Sequence, residues 1–336
     1  MSSKVYLIIG AVLLYIVAIR LPSLLRPIPE NIISPRPSPA PYWQVRSIDT
    51  MKYSRDIARE KTEDTSFDTV IDEQVKNIAN TGASHVAIAT PYDPEFIPFL
   101  TRWVEAARRY NLKVWFRGNA SGWERWFGYK QISRDEHKQV IVEFIKSNGS
   151  LFESGDIFTP CPECENGGEG DPRMVGGVEE YRQFLIDEYN MSREAFRAIG
   201  KNVEVGYFSM NFDVAKLVMD KPTTAALGGV VAIDHYVRST DKLKTDLKEM
   251  AELSGGKIYL GEWGAPIPDI HGKISGDEQA AWIKDALEVF KADKNVIGLN
   301  YWVNVGGSTE IWNARGVATP AVSVITEYYS RLEIPQ

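Results

Sequence analysis

Two short acidic motifs contain the residues best suited to chemistry. The first is TPCPECENGGEGD, residues 159–171, in which Cys161 and Cys164 form a C-x-x-C pattern around Glu163, with Glu165 just beyond. The second is LGEWGAP, in which Glu262 follows a short apolar run. A C-x-x-C pattern suggests metal or redox chemistry, whereas paired carboxyl groups suggest general acid–base or nucleophilic chemistry.

The cysteine pair favours a structural role over a chemical one. A structural zinc site needs four ligands, and the sequence offers two cysteines, four histidines and no H-E-x-x-H pattern. A thioredoxin-type pair opens a helix, and the acidic neighbour Glu163 opposes thiolate formation. We expect a local disulfide that fixes the loop around Glu163, with free thiols or a metal or redox pair as alternatives. No metal and no cofactor is predicted.

Eight short runs rich in Val, Ile and aromatic residues follow one another along the chain. They mostly lack strict apolar–polar alternation, which is typical of strands covered on both faces. The runs are residues 42–49, 85–90, 112–118, 156–160, 203–209, 229–236, 257–264 and 296–302.

A segment with helical apolar spacing follows each run, so the pattern predicts an α/β fold of the (β/α)8 TIM-barrel type. A doubly wound open sheet is the alternative, but its usual Gly-rich phosphate loop is missing after the first run. The helical segments are residues 67–80, 94–110, 134–148, 177–200, 213–227, 240–253, 275–292 and 319–332.

A barrel of this kind has its active site at the carboxyl ends of its strands. The polar and aromatic residues that end the predicted strands are therefore the candidates for a site. They are Arg117 and Asn119 on strand three, Glu163 and Glu165 after strand four, Asp234, His235 and Tyr236 on strand six, Glu262 and Trp263 on strand seven, and Tyr301, Trp302 and Asn304 on strand eight.

Glu262 is the sharpest of these candidates, because a carboxylate after an apolar strand is costly unless it is compensated. One interpretation is a buried ion pair with Arg117 or Arg46. The other is a nucleophile held ionised by such a partner. Strands four and seven face each other across a barrel mouth, and glycosidic bond cleavage needs one ionised and one protonated carboxyl group.

These motifs resemble the retaining glycoside hydrolases whose catalytic glutamates lie on barrel strands four and seven, a clan that includes families 5, 26, 39 and 113. The resemblance implies that Glu262 in GEWG is the nucleophile and Glu163 in PEC the acid/base. It implies that His235 and Tyr236 position the nucleophile, that Trp302 in NYW forms the floor of the sugar subsite, and that Arg117 is the inner arginine.

The strand-four motif departs from the usual Asn-Glu of that clan, because Pro162 precedes Glu163. We expect Asn166 to replace the missing sugar contact, and Trp263 to line the cleft or pack in the core. Strand parity does not distinguish Glu163 from Glu165, since residues two apart face the same side. The resemblance favours Glu163, with Glu165 as the alternative.

The N-terminal region predicts a membrane anchor and a spacer. Residues 5–19 form an uncharged apolar run, which favours a signal-anchor or transmembrane segment over residues 1–21, with a cleaved signal as the alternative. A Pro-rich linker follows over residues 22–41 and the catalytic domain over residues 42–336. We therefore expect a membrane-anchored monomer with an extracytoplasmic barrel, or a secreted one if the segment is cleaved.

Charge and composition limit the partners. A net charge of −7 gives no electrostatic support for binding nucleic acid. Nine tryptophans and fifteen tyrosines supply flat rings suited to a sugar cleft. The predicted function is hydrolysis of O-glycosidic bonds in a β-linked poly- or oligosaccharide by two glutamates. The alternatives are a catalytically silent carbohydrate-binding barrel and a non-sugar barrel hydrolase or lyase that uses Glu262 as a general base.

Overall fold

The computed structural model describes residues 40–333, which form one unit. The predicted membrane segment and nearly all of the predicted linker lie outside these residues. The last two linker residues form strand β1 (Ala40–Pro41), which pairs antiparallel with β11 (Leu332–Glu333). Within residues 40–333, no helix combines the length and apolar character needed to cross a bilayer.

The other nine strands form one curled, parallel, TIM-barrel-like sheet. Their order in the sheet is β6-β5-β4-β3-β2-β10-β9-β8-β7. In chain order they are β2 (Val45–Asp49), β3 (His85–Ile88), β4 (Lys113–Phe116), β5 (Ile157–Phe158), β6 (Glu204–Val205), β7 (Ser209–Asn211), β8 (Val230–Asp234), β9 (Lys257–Trp263) and β10 (Val296–Tyr301).

The two edge strands of this sheet are the halves of one predicted strand. The predicted run 203–209 is divided into β6, which pairs with β5, and β7, which pairs with β8. Gly206 and Tyr207 lie between the halves with φ of 120° and 54°, outside the extended region, so the ladder is interrupted there. The sheet therefore curls until its ends meet at a single interrupted strand.

Helices alternate with the strands largely as the sequence predicts. Ser133 and Ser275 each form a capping box with a glutamate three residues on, which fixes two helix starts. The segment predicted as one helix over 213–227 is two helices, because the new N-cap Asp220 and Pro222 begin a second one. The principal helices are Asp68–Asn80, Ile97–Arg109, Arg134–Ser147, Val178–Ala198, Phe212–Val218, Lys221–Ala226, Thr240–Ser254, Gly276–Ala292 and Pro320–Tyr329.

The barrel interior is filled in layers, which determines where the site can lie. Side chains that include Val45, Trp115, Ile157 and Tyr259 form a separate buried cluster inside the sheet. The guanidinium of Arg117 lies 5.2 Å from the Trp115 ring centroid, two residues further along the same strand direction. The interior thus changes from apolar to charged toward the carboxyl ends of the strands.

Candidate active site

Arg117 organises the charged layer of the barrel. Its side chain is buried, with 1% exposure, just beyond the end of β4. Nη1 donates to Asp49 Oδ2 at 2.5 Å, while Nη2 donates to Ser209 Oγ at 2.9 Å and to Glu262 Oε1 at 3.1 Å. Three strands are therefore connected through one guanidinium.

Glu262 lies near the end of β9 with 6% exposure. Besides Arg117, it accepts a hydrogen bond from the Tyr236 hydroxyl, 2.9 Å from its Oε2. The register between β8 and β9 shifts next to this residue, between Ile233 and Asp234. The predicted ion pair of Glu262 with Arg117 is therefore present.

Glu163 occupies a tight turn rather than a strand. Strand β5 ends at Phe158, and Glu163 has φ 44° and ψ 48°, in the left-handed region. Its backbone N–H donates to Ser209 O at 2.8 Å. Cys161 and Cys164, both buried, form a disulfide across this turn, so the predicted local disulfide is present.

The structure brings Glu163, and not Glu165, to Glu262. One carboxylate oxygen each of Glu163, Asp234 and Glu262 lies within 4.8 Å of the others. Glu165 instead accepts from the backbone and side-chain nitrogens of Asn211, at 2.8 and 3.1 Å. The parity argument was wrong because it applied strand geometry to a turn, in which residues two apart face different directions.

Burial dominates the electrostatics of this cluster. Burial raises the pKa of Glu163. Burial and the neighbouring Glu163 carboxyl together raise the pKa of Glu262, while Arg117 lowers both pKa values. Two carboxyl groups this close share a proton rather than both ionising. Glu262 accepts hydrogen bonds from a guanidinium and a phenol, which favour its charged form, whereas Glu163 is hydrogen-bonded by the Asn166 amide.

The aromatic candidates divide between the cleft and the core. Trp302 is half-buried, and its ring centroid lies 6.2 Å from that of Tyr236, nearly perpendicular. Trp263 is completely buried between Phe290 and Tyr301, with centroids 5.0 and 5.1 Å away. The structure therefore places Trp302 beside Tyr236, which hydrogen-bonds Glu262, and it places Trp263 in the core, the second of the two positions predicted for that residue.

His235 does not position Glu262 through its side chain, and Asn166 contacts Glu163. The His235 Nε2 lies 2.8 Å from Asp246 on helix Thr240–Ser254, so its ring faces away from the cluster, and burial lowers its pKa. Its contact with Glu262 is through its own backbone N–H, which donates to the Glu262 carbonyl. Asn166 is exposed and hydrogen-bonds the Glu163 carboxyl, so it supports that residue directly.

Sequence reasoning named Asp234 among the residues at strand ends but gave it no role. It ends β8 and lies two residues before Tyr236, so period-two spacing along the strand could have assigned it to the same face. Asp234, Glu163 and Glu262 are also the one group among residues 40–333 whose spacing would suit a metal ion. The Arg117 guanidinium, 3.1 Å from Glu262 and 3.8 Å from Asp234, offsets only part of the charge of these three carboxyl groups.

Comparison with known proteins gives a fold but no family. No family model matches the sequence, and no curated protein matches it. Among solved structures, one similar chain is a GH5_18 protein from Bifidobacterium longum subsp. longum ATCC 55813 in complex with Manb1-4GlcNAc. It is 14% identical in sequence, and its TM-score is 0.64 over 85% of this chain and 78% of that one.

Two further structures agree with this likeness. The fungal beta-1,4-galactanases give 13% identity and a TM-score of 0.58, over 85% of this chain and 99% of that one. A beta-D-glucuronidase from Dictyoglomus thermophilum has 16% sequence identity and a TM-score of 0.57 over 88% of this chain. The match spans about half (52%) of that enzyme's length. The chain is therefore a TIM-barrel-like protein that shares its fold with glycoside hydrolases.

Proposed function

We propose that the protein is a retaining glycoside hydrolase that cleaves O-glycosidic bonds in a β-linked poly- or oligosaccharide. The observation that carries the proposal is the approach of Glu163 and Glu262, whose nearest carboxylate oxygens lie within 4.8 Å. Carboxyl groups about 5–5.5 Å apart are typical of retention, whereas inversion needs about 6.5–9.5 Å to admit a water molecule.

In the first step, a carboxylate oxygen of Glu262 bonds to the anomeric carbon while the bond from that carbon to the leaving oxygen breaks. Glu163 gives its proton to that oxygen. In the second step, water loses a proton to Glu163 and attacks the anomeric carbon, which releases Glu262. The sugar leaves with its original anomeric configuration.

The surrounding residues support these roles. Hydrogen bonds from Arg117 and Tyr236 stabilise the charge that Glu262 needs as a nucleophile. Burial raises the pKa of Glu163, which favours the protonated form that an acid catalyst needs. Trp302, half-buried at the end of β10, is placed to stack against a sugar ring.

Solved structures of similar fold support the substrate class. They include proteins named as beta-1,4-galactanases and beta-D-glucuronidases, which are enzymes for β-linked sugars. We further propose that residues 1–21 anchor the chain in a membrane with the barrel outside the cytoplasm. Protease accessibility of the barrel in intact cells tests that arrangement, and protection by the cell membrane would contradict it.

The function is tested by hydrolysis of a panel of β-glucans, mannans, xylans, galactans and bacterial exopolysaccharides. On a substrate that is cleaved, we expect Glu262→Gln to abolish turnover. Glu163→Gln should lower it by about 10²–10⁴-fold, with a smaller loss on nitrophenyl glycosides, whose leaving group needs little protonation. Glu252→Gln, which removes an exposed carboxylate on helix Thr240–Ser254, is the matched control and should retain most activity.

The stereochemistry decides between mechanisms. Proton NMR of the first product formed should show the β anomer, as double displacement requires. A first product with the α anomer would refute retention. Binding without turnover across the whole panel would refute hydrolysis and support a catalytically silent carbohydrate-binding barrel.

A further inference from the structure

A third carboxyl group in the site has no hydrogen-bonding partner. Asp234 has 4% exposure, and neither of its side-chain oxygens is hydrogen-bonded within the part of the chain that the structure describes. Its nearest cation, Arg117 Nη2, lies 3.8 Å from Oδ1. The two hydrogens of that nitrogen are already donated to Ser209 and Glu262. A buried carboxyl without a partner is costly, so it marks a place where a ligand group belongs.

Asp234 lies where the reacting sugar must bind. One of its oxygens is within 4.8 Å of oxygens on both Glu163 and Glu262, and the anomeric carbon must lie between those two. The neighbouring position on β9 is Gly261, where a Cβ atom would be 2.5 Å from Asp234 Oδ1. The missing side chain lets Asp234 keep this position beside the catalytic pair.

The geometry limits which part of a sugar Asp234 can contact. Because Asp234 lies beside both catalytic carboxyl groups, it lies beside the anomeric carbon of a bound sugar. The ring substituent it can reach is then the one on the adjacent carbon, C2. A C2 hydroxyl would give Asp234 one hydrogen bond but would leave its charge uncompensated. A C2 ammonium would give a hydrogen bond and a compensating charge.

The charge around the cluster favours a cation. The three carboxyl groups share a single guanidinium, Arg117, which is also paired with Asp49. Burial, with the charge of Glu262, raises the pKa of Asp234 well above its usual value. An ammonium group at Asp234 would reduce the repulsion between these carboxyl groups.

Acidity extends beyond the cluster. A cavity of about 350 Å³ adjoins the Glu163 turn and is lined by Glu124, Glu165 and Asn166, among others. Glu165 is buried, and its Oε2 has no hydrogen-bonding partner within residues 40–333. Arg125, at the same cavity, is hydrogen-bonded to Gln131. A glycan with amino groups on successive sugars that extends from the catalytic pair into this cavity would meet further carboxyl groups.

We propose that the sugar bound at the catalytic pair is a 2-amino-2-deoxy sugar with a free, protonated amine, which Asp234 binds. The substrate is then a glycan with unacetylated amino sugars. This inference rests on the proposed function, because it places the anomeric carbon between Glu163 and Glu262. A 2-acetamido group carries no charge and so does not compensate that of a buried carboxyl.

The test compares ligands that differ only at C2. Binding of β-1,4-linked tetrasaccharides of glucosamine, glucose and N-acetylglucosamine is measured by calorimetry. Methyl β-glycosides of galactosamine, galactose and N-acetylgalactosamine form a second set. The full chain carries Glu163→Gln throughout, which slows turnover and leaves Asp234 and Glu262 in place. Asp234→Asn and the control Asp241→Asn, which removes one exposed carboxylate from a helix start, are added to this background.

In at least one set, we expect the amino sugar to bind about tenfold or more tightly than the hydroxyl and acetamido ligands of that set, as for a charge-assisted hydrogen bond. Asp234→Asn should reduce this ratio to about one, and Asp241→Asn should leave it unchanged. A hydroxyl or acetamido ligand that binds as tightly, a ratio that survives Asp234→Asn, or amino sugars that do not bind would each overturn the inference.

These outcomes are separate from those of the proposed function. Hydrolysis of a 2-hydroxy glycan with retention, without any preference for the amine, would refute the amine site alone. Tight amine binding without hydrolysis of any glycan would refute the hydrolase alone. If Asp234→Asn does not fold, the selectivity of the parent background still decides the question.

Discussion

Replacement of Arg117 by methionine should destabilise the protein strongly and in a pH-dependent way. The guanidinium is buried and hydrogen-bonded to Asp49 and Glu262, both of which are also buried. Breaking a buried ion pair costs about 3–5 kcal/mol, because the remaining charge has no partner. Asp49 keeps two donors, Met51 N at 2.7 Å and Asn300 Nδ2 at 3.1 Å, which places the expected loss at about 4 kcal/mol.

The pH dependence follows from Glu262. Burial raises its pKa, and Arg117 counteracts the rise, so Arg117→Met should raise the pKa further. A carboxyl whose pKa is higher in the folded than in the unfolded state binds more protons when folded. The free energy of unfolding then falls as pH increases from the unfolded pKa, about 4.3, to the folded one. The deficit of the variant should therefore be smaller near about pH 6 than near about pH 9, because the pKa of Glu262 in the wild type is about 8 and the two proteins lose the proton differently only above it.

Urea unfolding of the wild type and variant at both pH values measures the effect. Arg109→Met is the matched control, because Arg109 forms an exposed pair with Asp72 and its loss should change stability little. The double variant Arg117→Met/Asp49→Asn should recover part of the loss by removing the uncompensated charge. A deficit below about 1 kcal/mol, far under the range for buried pairs, or one that is equal at the two pH values, would refute the reasoning.

Three further changes should have distinct effects. Replacing Cys161 and Cys164 with serine should lower turnover while the far-ultraviolet circular dichroism spectrum stays unchanged, and a loss of secondary structure would contradict a local role. Tyr236→Phe removes one hydrogen bond to the nucleophile and should lower kcat by about 10–100-fold with little change in KM, as expected for a bond to a charged group. Gly261→Ala should lower the free energy of unfolding by about 1–3 kcal/mol through its clash with Asp234, and wild-type stability would refute the steric argument.

The fold was largely predictable because its signals are local and repeated. Seven of the predicted apolar runs contain one strand each, and the capping residue Ser275 begins its helix where expected. The eighth run, 203–209, was predicted as one strand but is interrupted at Gly206 and Tyr207. A run of apolar residues shows that a segment is buried, but it does not show where a backbone leaves the ladder.

The site was predictable where strand geometry determines side-chain direction. Glu262 and Tyr236 lie on or just beyond strands β9 and β8, and the structure brings them within hydrogen-bonding distance. His235 and Trp263 directly neighbour them in sequence and so face the opposite side, into the layer between sheet and helices. The same alternation that favours Tyr236 and Glu262 excludes their neighbours and points to Asp234.

Glu163 required information that alternation does not supply. It lies five residues past the end of β5, and its direction is set by a left-handed backbone conformation, a hydrogen bond to Ser209 O and the disulfide around it. A left-handed conformation is unfavourable for glutamate, so the turn must be held by its surroundings. The cysteines close that turn covalently, and the β7 carbonyl anchors it to the sheet. The C-x-x-C pattern and the acidic pattern of this loop therefore serve one local structure. In it, the disulfide holds the Glu163 carboxyl in a position that the barrel strands alone do not determine.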